Sequence, residues 1–238
     1  MKQVLINGLW ILMLILLGGI IVAQSDPSAP TAIQNVSTMT TTPSPGAVMN
    51  STGGSILTLD INATTQNYRW KGFVGNVTGE LALLDSALNR LVTWNVQTIT
   101  GELYATRNST LITWSAVQCA NNSVIAAEQE ALNITTTDVD SINTTFSGTT
   151  HRGFYIGITQ IAANTCRATA LNVNNTQQSN YFQEILLSDR GNLIYTSLLE
   201  NATYGFNNQT YDFQMIVAEN ALQGSQPSTP YYFYIELI

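Results

Sequence analysis

The residues with chemical capacity are few and widely spaced. His151 is the only histidine, set in Thr149-Thr150-His151-Arg152-Gly153, a turn-like stretch where a surface position is expected. A Ser-His-Asp relay is assembled in space rather than in sequence, but no Gly-X-Ser-X-Gly elbow is present to partner this histidine. A single histidine also rules out a three-histidine zinc centre. Paired carboxylates are the other route to hydrolysis, because one acid must protonate a leaving group while a second acts across from it. Glu80, Glu102, Glu184 and Asp212 are candidates by type, yet each falls in a stretch that reads as a strand, and spacing brings no two together. Asp138-Val-Asp140-Ser-Ile-Asn143 opens like a calcium loop. The fifth, sixth and twelfth places, which an EF-hand fills with Asp or Asn, Gly and Glu, hold Ile142, Asn143 and Thr149. A solvated turn is therefore expected, with a looser calcium site on Asp138 and Asp140 as the alternative. This set predicts no catalytic residue, no metal site and no cofactor.

Covalent chemistry is better marked. Cys119 and Cys166 are the only cysteines, the smallest even number that can pair in an exported chain. A bond between them would close a loop holding most of the one helical segment; two inert thiols are the alternative. Neither belongs to a Cys-X-X-Cys, which argues against redox catalysis or zinc. Asn-X-Ser/Thr triplets without a central proline occur at Asn35, Asn50, Asn62, Asn76, Asn108, Asn121, Asn133, Asn143, Asn174, Asn201 and Asn208. One such triplet is a weak signal in a chain rich in Asn and Thr; eleven, several at expected turns, point to N-glycosylation.

Composition makes the same point. Only 10 % of the 238 residues are charged, against roughly a quarter in ordinary soluble proteins. Thr, Asn, Ser and Gln replace the missing charges, so attached sugar is the obvious agent to hydrate the surface. The formal net charge of −7, with Arg69, Arg90, Arg107, Arg152, Arg167 and Arg190 scattered singly, argues against nucleic acid and against a polybasic membrane patch.

The elements that carry these residues divide into three. Residues 1–24 hold Lys2 and then an apolar run from Leu9 to Ala23 that Asp26-Pro27 ends abruptly, which reads as a signal peptide or an uncleaved signal anchor. Cleavage after Ser25 or after Ala23 fits the small residues there. Counted from Val4, the run is about 20 residues, enough to span a bilayer as a helix, so membrane contact is expected only through residues 4–23. Residues 25–54 are rich in Ser, Thr and Pro and keep no period, which predicts an extended stalk. Residues 55–238 form the expected head. Strands are predicted near 56–61, 68–77, 80–84, 91–96, 102–106, 110–114, 154–158, 166–171, 181–187, 193–199, 211–217 and 231–237, with one helix over 123–132 capped from Asn121 or Asn122. The fold class is thus all-β: a β-sandwich or jelly-roll-like head with one short helix, behind an apolar N-terminal helix and a stalk. Glu80-Leu-Ala-Leu-Leu-Asp85 leading to Leu91-Val-Thr-Trp94 is echoed by Glu184-Ile-Leu-Leu-Ser-Asp189 leading to Leu193-Ile-Tyr-Thr196, a pattern that shared hairpin chemistry also produces. Trp70, Trp94, Trp114 and Tyr231-Tyr-Phe-Tyr234 serve either as core, as sugar-stacking platforms or as a subunit contact.

Trp70-Lys-Gly-Phe-Val-Gly-Asn-Val-Thr-Gly79, the hairpin ending at Trp94, Gly101-Glu-Leu-Tyr-Ala105, Asp140-Ser-Ile-Asn-Thr-Thr-Phe146 and Tyr211-Asp-Phe213 together resemble archaeal cell-surface and envelope glycoproteins with a β-sandwich head. The resemblance runs across most of the head and implies an envelope glycoprotein; it assigns no chemistry to any single residue. Archaeal pilins also join an apolar helix to a β-rich, glycosylated head. Their processing site has Lys or Arg before a small residue, where this chain has Asn7-Gly8, and Pro27, Pro30 and Pro43 break the helix early.

The function expected is that of a non-enzymatic, exported, N-glycosylated cell-surface protein, a structural, envelope or filament subunit, either secreted or anchored by its N-terminal segment. An adhesin or carbohydrate-binding module and a pilin-like subunit are the alternatives. Expected partners are further copies of the chain, other envelope proteins or glycans, and a strand donated by the stalk to an exposed sheet edge is one way for copies to join.

Overall fold

The computed structural model describes residues 25–41, 46–96, 98–220 and 228–238; the apolar helix expected within 1–24 lies outside the described residues. Among the described residues, the first named element is at Trp70, and the regular structure is almost all strand. The first strands are β1 (Trp70–Gly75), β2 (Glu80–Leu84), β3 (Arg90–Asn95), β4 (Gly101–Thr106) and β5 (Gln118–Cys119). Helices α1 (Asn122–Ala131) and α2 (Ile142–Thr145) follow. Next come β6 (Phe154–Ile156), β7 (Thr159–Ile161), β8 (Ala168–Thr169), β9 (Asn172–Val173), β10 (Thr176–Gln177), β11 (Glu184–Ser188) and β12 (Leu193–Leu198). The last are β13 (Thr203–Tyr204), β14 (Thr210–Tyr211), β15 (Phe213–Ala218) and β16 (Tyr232–Leu237).

A six-stranded antiparallel sheet organises the head in the order β16-β4-β12-β11-β5, with β8 also on β11. Every residue of β4, β11 and β12 is buried, so these strands lack the in-out alternation of a half-solvated sheet. One face packs Leu103, Ala105, Leu186 and Tyr195 against α1 and the β1–β15 ribbon. The other packs Tyr104, Ile185, Leu187 and Ile194 against Trp114, Phe154, Ile156 and Cys166. Ribbon and sheet are joined by polar links as well: the Ser197 hydroxyl donates to the Gln214 carbonyl at 2.8 Å, and the Ile216 N–H donates to a Glu184 carboxylate oxygen at 2.9 Å. Glu184 thus satisfies a strand N–H that no neighbouring backbone reaches.

The outer edge of β11 is covered end to end by two short strands. β5 takes Leu187 and Ser188, and β8 takes Glu184 and Ile185. Leu186 sits at the junction, accepting from the Ala120 N–H and donating to the Arg167 carbonyl. The disulfide Cys119–Cys166 pins that junction, and its sequence separation of 47 places it near ~4 kcal/mol on loop-entropy grounds. At the opposite edge, Ser28 bridges to Ile235 of β16 through two backbone hydrogen bonds of 3.0 and 2.8 Å, so the chain just after residue 24 is held to the sheet.

Two expected strands are absent. Residues 56–61 pair with no strand among the described residues and lie exposed, because a strand without a neighbour leaves its backbone to water. Residues 110–114 turn into a single 3-10 turn at Trp114–Ala116, which drops Trp114 between Tyr104 and Tyr234 at ring-centroid distances of 5.0 and 5.3 Å. The expected helix forms, and the Asn121 side chain caps it by accepting the Val124 N–H at 3.0 Å.

Candidate functional site

The antiparallel register of β4 and β16 sets Glu102 opposite Glu236 and Tyr104 opposite Tyr234, all on one face of the sheet. Glu236 was not among the acids singled out by sequence; its signal was the alternation Tyr232, Tyr234, Glu236 in the last strand. Glu236 accepts from the Tyr104 hydroxyl at 3.1 Å and from the Gly157 N–H at 2.9 Å. Glu102 is 4 % exposed, and its Oε2 has no hydrogen-bond partner among the described residues. Burial first, and then the charge of Glu236, push the Glu102 carboxyl up to about 8, while Arg152 pulls the other way. Glu102 therefore holds its proton at neutral pH. It borders a cavity of about 460 Å³ whose other polar walls include Thr100, Arg152 and Glu200. Arg152 is committed there, donating to Glu200 at 2.7 Å and to the Leu199 carbonyl at 2.6 Å. The cavity thus contains a neutral acid and a satisfied ion pair.

The remaining acids go to separate places. Glu80 lies at the surface paired with Arg90 at 2.5 Å. Glu184 is fully buried beneath β15, and burial pushes its carboxyl well above the usual carboxylate range. Asp212 accepts the Val77 and Ala202 N–H groups, both at 2.8 Å, and so ties two turns together. Asp138 and Asp140 face Arg69: Asp138 hydrogen-bonds its guanidinium, and Asp140 lies 3.8 Å from its Nε. A cation from the chain itself thus occupies the acid pair.

His151 corrects the surface position expected for it. It is 2 % exposed, with Nδ1 donating to the Arg152 carbonyl at 2.8 Å and Nε2 accepting the N–H groups of Thr165 and Cys166 at 3.1 and 3.0 Å. This pattern requires the neutral Nδ1–H tautomer. The imidazole braces the turn that presents Cys166 to Cys119, a role invisible in a sequence that shows only a polar loop around it.

The glycosylation triplets have a consistent placement. Asn35, Asn50, Asn62, Asn76, Asn121, Asn133, Asn174, Asn201 and Asn208 are exposed, and Asn108 and Asn143 are half-buried. None lies in a strand. Asn133, Asn174 and Asn208 adopt positive φ in turns, a conformation asparagine tolerates better than most residues. At Asn108, Asn121 and Asn201 the side-chain oxygen accepts a backbone N–H, and no described hydrogen bond uses the amide nitrogen, the atom that carries sugar.

The β2–β3 hairpin is the other outlying feature. Both strands are exposed apart from half-buried Ala82, and neither pairs with any further described strand. Register places Leu81 opposite Trp94 and Leu83 opposite Val92, giving one apolar face with these residues 45, 53, 51 and 43 % exposed. Among the described tryptophans, Trp94 is therefore the one open to contact. Trp114 is core, and half-buried Trp70 donates its indole N–H to the Asp140 carbonyl at 2.9 Å. No helix among the described residues is long and apolar enough to cross a membrane. Comparison with protein-family models, with curated proteins and with solved structures finds no match to this chain.

Proposed function

We propose that this chain is an exported, N-glycosylated cell-surface protein with a structural rather than enzymatic role, a subunit of an envelope or filament. The observation that carries it is the placement of the eleven sequons: all on exposed or half-buried positions outside the strands, on a surface where only 10 % of residues are charged. Sugar at these points would hydrate the head without touching its core. The β1–β15 ribbon laid over one face of the central sheet supports reading the head as a β-sandwich, and the apolar residues 4–23 support export or anchoring. The archaeal envelope glycoproteins that the sequence resembles fit the same role. Glu80, Asp138, Asp140, Glu184 and Asp212 go to separate structural duties and the one close acid pair, Glu102 and Glu236, is buried, which favours this reading over hydrolysis. The test is mass spectrometry of the native protein from the surface fraction of its host. Glycopeptides at several of the eleven asparagines are expected, together with an N-terminus at or near residue 24 or an intact anchor. Bare polypeptide recovered from the cytosol overturns the reading.

A further inference from the structure

Two apolar, strand-competent pieces of this chain have no further strand beside them among the described residues, and they complement each other. The first is the β2–β3 hairpin. It repeats the construction of the β11–β12 hairpin: Asp85 closes its turn by accepting the Ala87 and Asn89 N–H groups, as Asp189 does for Gly191 and Asn192. β11–β12 has strands on both edges and is wholly buried; β2–β3 has neither. A lone two-stranded hairpin is marginal in water, and a third strand is what makes such a sheet stable. The second piece is Ile56-Leu-Thr-Leu-Asp-Ile61, which has strand composition, no ladder, and Ile56, Leu57, Leu59 and Ile61 exposed.

The sequons stop short of both pieces, with Asn62 directly after Ile61. No sequon falls between Asn76 and Asn108, a span that contains the whole hairpin, and none falls between Asn50 and Asn62. In a chain that otherwise decorates its exposed turns, an undecorated apolar hairpin is marked for protein contact. Within one chain the two pieces stay apart and exposed, so the partner that fits is a second copy, for which the 62–69 linker offers a reach of roughly 25–30 Å.

We propose that residues 56–61 of one copy add as a third strand to the free edge of β2 in the next copy. β2 is the acceptor because the register passes from Leu83↔Val92 to Leu84↔Arg90, which leaves Leu91 as an extra residue in β3, and an irregular edge resists strand addition. An antiparallel register with Leu57 beside Leu83 and Leu59 beside Leu81 extends the hairpin's apolar face, which those leucines share with Trp94 and Val92. Each copy donates at one end and accepts at another, so the contact is heterologous and propagates head to tail into a filament. This rests on the surface-subunit reading and names its partner.

The test uses the glycosylated chain purified from its host. Light scattering should give multimers for the natural protein and a single-chain mass for Leu57→Asp/Leu59→Asp, with unchanged circular dichroism because neither side chain is buried. Leu59→Cys and Leu81→Cys proteins with different tags, mixed under mild oxidation, should yield a disulfide-linked band carrying both tags; Cys119 and Cys166 are already bonded to each other. A natural protein that is monomeric at every concentration overturns the proposal, as does a Leu59→Cys/Leu81→Cys double variant that links within one chain. Confirmed glycopeptides with a strictly monomeric protein would sink this contact while leaving the surface reading in place.

Discussion

Replacing Glu102 by glutamine should remove a pH-dependent weakness from the centre of the head. In the folded protein this carboxyl, 4 % exposed beside Glu236, is raised from 4.5 to about 8. Below pH 4.5 the group is protonated whether the chain is folded or not, and the shift has no effect on stability. Between pH 4.5 and about 8 the unfolded chain releases the proton while the folded chain keeps it. The unfolded state then binds fewer protons, so stability falls as pH rises through this window and levels off above it. At ~1.4 kcal/mol per pKa unit, the rise from 4.5 to about 8 amounts to ~5 kcal/mol, spread across that interval. Glutamine mimics the protonated acid and cannot ionise, so Glu102→Gln should lose this slope and become the more stable protein by ~3–5 kcal/mol at pH 9. Glu184 is raised in the same direction, but it is common to both proteins and drops out of the difference. The assay is urea or guanidinium unfolding of both proteins from pH 5 to pH 9. If Glu102→Gln keeps the full pH slope of the natural protein, the carboxyl is not ionising in a buried, Glu236-facing position and the reasoning fails.

Two further outcomes follow from the same sheet. His151→Phe should cost ~2–4 kcal/mol in thermal or chemical unfolding, because the Thr165 and Cys166 N–H groups lose their shared acceptor inside the fold; a change below about 0.5 kcal/mol would contradict the bracing role. Gly101→Ala should lower the unfolding midpoint by the equivalent of ~2–4 kcal/mol. Gly101 has φ +132°, and an added Cβ would come within 2.0 Å of the Glu236 carbonyl oxygen; Gly72→Ala, where a Cβ meets nothing within 4 Å, serves as the control.

Local patterns made much of this molecule legible. Alternation and turn residues located β2, β3, β4, β12 and the body of β1 and β16, and the Ala-rich run after Asn121 located α1, because strand period and helix capping are properties of neighbouring residues. Cysteine count anticipated the Cys119–Cys166 bond. The same local logic failed at residues 56–61, where a strand pattern found no partner, and at Trp114, where packing between two tyrosines overrode a strand pattern.

The sequence by itself determined the all-β character, the charge-poor composition, the sequons and the single cysteine pair, since each is written in residue type and short spacing. Only the tertiary structure decided that Glu102 meets Glu236, that His151 is buried behind a disulfide, and that Asp138 and Asp140 are answered by Arg69. These are pairings between distant segments. Strand register and sheet order create them, and both arise from the collective burial of two faces of one sheet rather than from any local run of residues.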